Sequence, residues 1–261
     1  MNREASKKLE SFFDALAGAP TSLLLLDYDG TLAGFRLDRF KARPWAGVSE
    51  LLARIQRQGR TRIAVITGRP AVEIPPMLAL YPPPEVWGLH GAQRLFPNGR
   101  IELEKPSPAT RIQLDQLRRQ LERDAFGGLF EDKPNAVVMH WRGRSQKKVR
   151  AIASRTCALF EPLAKLDGLR LLEFESGLEL RTGRDKGGAI RAIMHEAGPI
   201  PVSYLGDDLA DEAGFRAVNE AKGPHLSVLM RRARRKTDAD LWLKPPAELR
   251  VFLKRWTEAG S

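Results

Sequence analysis

The sequence predicts an α/β protein: a parallel sheet that carries its polar groups at strand ends, with a smaller α/β domain inserted into it. Three observations predict this. Apolar runs stop abruptly at polar tips, above all in Leu23-Leu24-Leu25-Leu26-Asp27-Tyr28-Asp29-Gly30-Thr31-Leu32. An apolar run, an amphipathic helix and a second apolar run follow one another between residues 23 and 69, the order of a parallel crossover unit covered on both faces. After Gly99 the pattern changes to two helices and four strands, and crossover logic resumes near residue 187.

Taken in order, Ser6–Leu16 reads as a short helix leading into the four leucines. Those leucines read as a fully buried strand, although so short a run also fits a buried helix. Ala33–Arg43 is irregular and basic. Pro44 is placed to open a helix on which Val48, Leu51, Leu52 and Ile55 recur with helical spacing, and Gly59 ends it. Arg62–Arg69 is a second buried strand with a polar tip. The proline-rich residues 75–84 connect to a third strand, Val86–Leu89, which ends in His90-Gly91-Ala92-Gln93. In the inserted part, Thr110–Ala125 and Ser145–Phe160 are helical, and Phe130–Lys133, Ala136–Trp141, Leu169–Phe174 and Gly177–Arg181 are strands. Gly187–Ala197 is a helix and Pro201–Leu205 a strand ending in Gly206-Asp207-Asp208-Leu209-Ala210-Asp211-Glu212. A helix bearing Phe215 and Val218, strands at Leu226–Met230 and Leu241–Leu243, and an amphipathic helix bearing Leu249, Phe252, Leu253 and Trp256 complete the chain.

Composition bounds the function. At 261 residues the chain is close to the roughly 250–300 at which single cores stop growing, so a core with an insert fits. With 43% hydrophobic and 29% charged residues it reads as an ordinary globular protein. The single cysteine, Cys157, excludes an intrachain disulfide and sits in an apolar-periodic stretch, as a buried structural thiol would. No apolar region marks a signal peptide and no run approaches a membrane span, so a cytoplasmic protein is expected. The net charge of +11 points to nucleic acid, an anionic membrane surface or a small anionic substrate. The densest basic run, Arg231-Arg232-Ala233-Arg234-Arg235-Lys236, has no interleaved aromatics and reads as a solvated loop.

If the leucine run is a strand, Asp27 and Asp29 point the same way. Two carboxylates converging at a buried strand end repel each other, and a divalent cation is the usual remedy. The competing reading is a plain Asp-Gly turn. Thr67, Lys186, Asp207, Asp208 and Asp211 also fall at strand ends or at a helix start, where ligands bind in open parallel sheets. Locally, each has a simpler role: Thr67 as a turn cap, Lys186 as a solvated lysine, Asp207 and Asp208 as helix caps. Together they suit phosphoryl transfer through a carboxylate nucleophile. A second carboxylate would move the proton, and a lysine and a hydroxyl would hold phosphate oxygens.

The ordered set Asp27-Tyr28-Asp29-Gly30-Thr31-Leu32, Ile66-Thr67-Gly68-Arg69, Lys186-Gly187 and Gly206-Asp207-Asp208-x-x-Asp211 resembles the haloacid dehalogenase (HAD) superfamily of phosphatases. With Gly88-Leu89-His90-Gly91-Ala92, Lys133 and His140-Trp141-Arg142, it resembles the trehalose-6-phosphate phosphatases. The resemblance runs from about Leu23 to the C-terminus. It implies a Rossmann-like parallel-sheet core with an inserted C2B-type α/β cap: residues 1–104 and 183–261 as core, 105–182 as a lid that closes over substrate. It implies a Mg2+-dependent phosphatase of trehalose biosynthesis, with Asp27 as nucleophile and Asp29 as general acid/base. Thr67, Gly68 and Lys186 would bind phosphate. Asp27, Asp29 through its carbonyl, and Asp207 would hold the metal, supported by Asp208 or Asp211. Arg69, His90, Gly91, Glu131, Lys133, His140, Arg142 and Glu179 would contact a small sugar phosphate. A monomer binding neither nucleic acid nor membrane is expected. The chain departs from the family's common pattern at Gln93, where Glu is usual, at Ala210, where Thr is usual, and in Arg181-Thr182-Gly183-Arg184 before the lysine. A phosphatase for sucrose phosphate or mannosyl-3-phosphoglycerate is the alternative, and a basic nucleic-acid-binding protein a more distant one.

Overall fold

The computed structural model describes residues 3–36, 38–124, 129–166 and 168–260. Its elements run α1 (Arg3–Gly18), β1 (Ser22–Leu26), α2 (Val48–Arg57), β2 (Thr61–Ile66), α3 (Ile74–Leu78), β3 (Glu85–Gly88), β4 (Gln93–Leu95) and β5 (Ile101–Leu103). Then come α4 (Pro108–Arg123), β6 (Phe130–Lys133), β7 (Ala136–His140), α5 (Gln146–Ala164), β8 (Leu169–Phe174) and β9 (Gly177–Thr182). The chain ends with α6 (Lys186–Ala197), β10 (Val202–Gly206), α7 (Glu212–Asn219), β11 (His225–Met230), β12 (Leu241–Leu243) and α8 (Ala247–Ala259). Ala125, the expected end of the first inserted helix, lies outside the described residues.

By contacts the chain divides into two units: Met1–Glu102 with Arg184–Ser261, and Leu103–Gly183. In the larger unit the strands lie in the order β12-β11-β10-β1-β2-β3-β4-β5. The alternation of the four leucines sets its layering. Leu24 and Leu26 join a core with Phe12 and Phe13 of α1, Leu52 and Ile55 of α2, and Phe252 and Trp256 of α8. Leu23 and Leu25 face the opposite way, onto Ile190 and Ile193 of α6 and Phe215 and Val218 of α7. Successive residues of a strand face opposite sides, so an unbroken apolar run serves a sheet with helices on both faces.

The strands from β12 to β3 pair in parallel, but β4 runs antiparallel to β3, with Trp87 opposite Arg94. The sheet is therefore not wholly parallel. Three-residue strands such as β4 and β5 are too short to show a period. Two further expectations are corrected. Pro44 does not open α2; it bridges Ala33, while the Trp45 amide donates to Leu32 O, so the chain is held extended until the turn at Gly47. The proline-rich segment contains α3, which begins Ile74-Pro75-Pro76. Proline costs little in a first helical turn, where its missing N–H has no intrahelical partner to lose.

The smaller unit is a four-stranded antiparallel sheet, β6-β7-β9-β8. Val137, Met139, Leu178 and Leu180 face one side and pack with Leu114, Leu117 and Leu121 of α4 and Phe160 of α5. Cys157 is only partly buried, and burial raises its thiol pKa. Among the described residues, no helix is long and apolar enough to cross a membrane.

Trp256 anchors the α1–α8 layer. It is fully buried, its ring centroid lies 5.7 Å from that of Phe12, and its Nε1 donates to Thr61 Oγ1 at 3.0 Å. Trp256→Ala should destabilise the larger unit by about 3–5 kcal/mol in urea unfolding; a loss below about 1 kcal/mol would contradict this packing.

Candidate active site

The strand order places β1 between β2 and β10, so the chain leaves β1 in opposite directions and opens a crevice at the carboxyl ends. Asp27 lies one residue beyond β1, and its amide donates to Leu205 O of β10 at 2.8 Å. Asp207 follows β10 and Thr67 follows β2. Lys186 is the first residue of α6, whose N-cap Asp185 accepts from Gly188 N. Gly30 has φ +87°, and a Cβ there would stand 1.9 Å from Asp207 Oδ2. The glycine of the Asp-x-Asp-Gly stretch thus permits both the turn and the approach of the third aspartate. Gly206 likewise leaves room for Asp211, whose Cγ would lie 2.5 Å from an added Cβ.

Lys186 Nζ donates to Asp27 Oδ1 at 2.7 Å and to Asp211 Oδ1 at 2.6 Å, and all three residues are buried. Asp211 also accepts the Tyr204 hydroxyl and, through Oδ2, the amides of Asp207 and Asp208. One oxygen each of Asp27, Asp207 and Asp211 lie within 4.8 Å of one another. Loss of hydration raises the Asp27 pKa to about 7, against the attraction of Lys186. Burial and the neighbouring Asp27 push Asp207 well above the carboxylate range. Burial works against ionisation of Asp211 too, but the Lys186 ammonium overrides it and holds the pKa down. Burial alone would lower the Lys186 pKa; the Asp211 and Asp27 carboxylates raise it instead. Asp27 Oδ2 is buried with no hydrogen-bond partner among the described residues. An all-oxygen donor set of three buried carboxylates fits a hard divalent cation. Asp208 lies outside the cluster: its Oδ1 accepts the Leu209 amide in a capping box with Asp211.

Arg69 forks onto Asp29, with Nε and Nη2 each 2.6 Å from a carboxylate oxygen. Its guanidinium lies over the Tyr28 ring at 5.5 Å. Thr67 Oγ1 accepts the Arg69 amide, the capping role its local sequence suggests. The His90 ring lies against Gly68, and Gly91 against the backbone of Asp185. Gln93 Oε1 accepts the Ala71 amide at 2.7 Å, a bond that a glutamate could also make.

In the smaller unit, alternation puts Glu131, Lys133, His140 and Glu179 on the sheet face away from α4 and α5. The structure pairs them with one another: His140 Nε2 with Glu131 at 3.0 Å and Lys133 with Glu179 at 3.1 Å. Arg142 Nη2 donates to Ser176 Oγ. Sequence reasoning missed Arg181, buried 3.7 Å from Glu179, although the two-residue step along β9 points to it. It also missed Tyr204, whose bond to Asp211 depends on the turn between them and leaves no local signal.

The raised pKa values of Asp27 and Asp207 mean that the native, metal-free protein holds protons that the unfolded chain, at about 3.8, has released. The Asp27 contribution to stability is complete below that value and is lost as the pH rises through about 7; Asp207 is shifted in the same direction. Melting scans should therefore show Mg2+ raising Tm more at about pH 8 than at about pH 5.5. An equal or reversed effect would contradict the proton-holding cluster.

Comparison with known proteins places this geometry. The family model described as Trehalose-phosphatase matches residues 25–246. The trehalose-phosphate phosphatase of Mycobacterium marinum (strain ATCC BAA-535 / M) is 30% identical over 253 residues, covering 90% of this chain and 61% of that protein. The chain thus spans about three fifths of that relative's length. The trehalose-6-phosphate phosphatase of Escherichia coli (strain K12) is 30% identical over 207 residues, covering 77% of this chain and 75% of that one. The solved C-terminal domain of C. albicans trehalose-6-phosphate phosphatase has the same fold, with a TM-score of 0.81 at 19% identity over 96% of each chain. The family match spans most of the chain, including every residue of the carboxylate cluster, and on that ground this protein belongs to the trehalose-phosphatase family.

Proposed function

We propose that this protein is a Mg2+-dependent phosphatase that hydrolyses trehalose 6-phosphate to trehalose and phosphate through an aspartyl-phosphate on Asp27. The observation that carries the reading is the unpartnered Asp27 Oδ2, buried beside the Lys186 ammonium. A carboxylate oxygen kept free of hydrogen bonds in a buried site is what a nucleophile requires. The family membership and the names of the relatives supply the substrate.

In the first half-reaction Asp27 Oδ2 bonds to phosphorus, the bond from phosphorus to the sugar oxygen breaks, and Asp29 protonates the leaving oxygen. In the second, Asp29 takes a proton from water as that water's oxygen attacks phosphorus; phosphate leaves and the Asp27 carboxylate is regenerated. Lys186 balances charge on Asp27 and on the phosphoryl oxygens. Thr67 already accepts a bond, so its hydroxyl hydrogen can be donated to phosphate. Arg69 fixes the direction of Asp29 through two bonds. Asp27, Asp207 and Asp211 are the residues that would hold Mg2+, which when bound shields the nucleophile from the phosphate dianion. In the smaller unit, Glu131, Lys133, His140, Arg142 and Glu179 are of types that bond sugar hydroxyls, and a site built for hydroxyls rejects analogues that lack them. The Gln93 departure does not weigh against this substrate, because its bond to Ala71 is structural.

A phosphate-release screen across sugar phosphates with Mg2+ should show trehalose 6-phosphate turned over fastest, and chelation should abolish release until Mg2+ is restored. Asp27→Asn should lower turnover more than about a thousandfold with a Tm near that of the parent protein. Preference for another sugar phosphate overturns the substrate, and comparable turnover by the variant overturns the nucleophile.

A further inference from the structure

The basic run between β11 and β12 is not simply a solvated loop. Arg232, Arg234 and Lys236 are exposed, but Arg231 and Arg235 are partly buried and turn back toward the carboxyl end of β10. Arg231 Nη1 donates to Asp207 O at 3.3 Å, and Arg235 Nη2 to Asp208 O at 2.7 Å. The amides of the same two residues are held by Asp211 Oδ2 at 2.8 and 2.9 Å. The short turn carrying Asp207 is thus gripped on its N–H side by an acid and on its C=O side by two arginines.

Both arginines are themselves fixed. Arg231 N donates to Leu243 O at 3.0 Å, and Arg231 O accepts Trp242 Nε1 at 2.7 Å, which ties the start of the run to β12. Arg235 Nη1 bonds Glu212 Oε1. Glu212 also accepts Thr237 Oγ1 at 2.9 Å and Asp238 N at 2.8 Å. Glu212 begins α7, so the far end of the run is pinned to the helix that follows the turn.

We propose that Arg235, anchored by Glu212 and assisted by Arg231, is a positioning residue that presets the Asp207 carboxylate for a divalent cation. The proposal rests on the metal reading given above. Without the two guanidinium bonds the carbonyl side of the Asp207 turn would lose its anchors, and binding a cation would first require the turn to be ordered again. A guanidinium can grip Glu212 and the Asp208 carbonyl at once because its donors form a rigid fork; an ammonium on a flexible stem is a poor substitute. Partners behind a metal ligand commonly govern affinity in this way.

The test is calorimetric titration of Mg2+ into the full chain without substrate, beside the Mg2+ dependence of phosphate release. Arg235→Gln should weaken Mg2+ binding about tenfold or more. It should raise the half-saturating Mg2+ concentration by the same factor and leave kcat at saturating Mg2+ close to that of the parent. Arg235→Lys should restore little of the affinity, and Arg234→Gln, at an exposed position, should change nothing. If Arg235→Gln does not fold, Glu212→Gln carries the test, with weaker binding in the same direction. Unchanged Mg2+ affinity in a folded Arg235→Gln or Glu212→Gln protein overturns the proposal while leaving the metal site standing. A parent protein that binds no Mg2+ overturns the metal reading, and this proposal with it.

Discussion

Three buried carboxylates share one buried ammonium. Lys186 bridges Asp27 and Asp211, and Asp207 adds a third acid within 4.8 Å. Burial makes each uncompensated charge costly, so the cluster keeps protons on Asp27 and Asp207 that ordinary aspartates release. With all three acids ionised, three negative charges against the Lys186 ammonium would leave an excess of two, the charge a divalent cation carries.

Holding these groups together is the work of the sheet. The alternating leucines of β1 commit that strand to two helical layers, and its place between β2 and β10 sets its carboxyl end at the switch in strand order. Lys186 enters from the first turn of α6, and Asp211 from the turn before α7. The small residues Gly30 and Gly206 let two acids approach to distances that any side chain would block.

Arginine holds the periphery of the cluster. Arg69 grips Asp29, while Arg231 and Arg235 grip the carbonyls of the Asp207 turn. Elsewhere Arg62 and Arg94 meet on Glu85 and Glu196 at the side of the sheet. Part of the large positive charge therefore faces inward, onto carboxylates and carbonyls, and is not displayed as a surface for a polyanion. Net charge alone cannot distinguish these arrangements, because it counts side chains without their directions.

The sequence by itself determined the α/β class, the inserted two-helix, four-strand segment and the polar strand ends. Each follows from local periodicity: four leucines before Asp27, helical spacing from Val48 to Ile55, and an abrupt change of pattern after Gly99. It also determined which residue types stand at the crevice, since Asp27, Thr67, Lys186 and Asp207 all follow from strand or helix ends. Only the tertiary structure decided their partners. That Lys186 spans Asp27 and Asp211, that Arg69 turns to Asp29, and that Arg235 reaches the Asp208 carbonyl are contacts between residues 25–159 positions apart. No local period encodes such pairings; they arise from the order in which the strands pack and from the cost of leaving a buried charge alone.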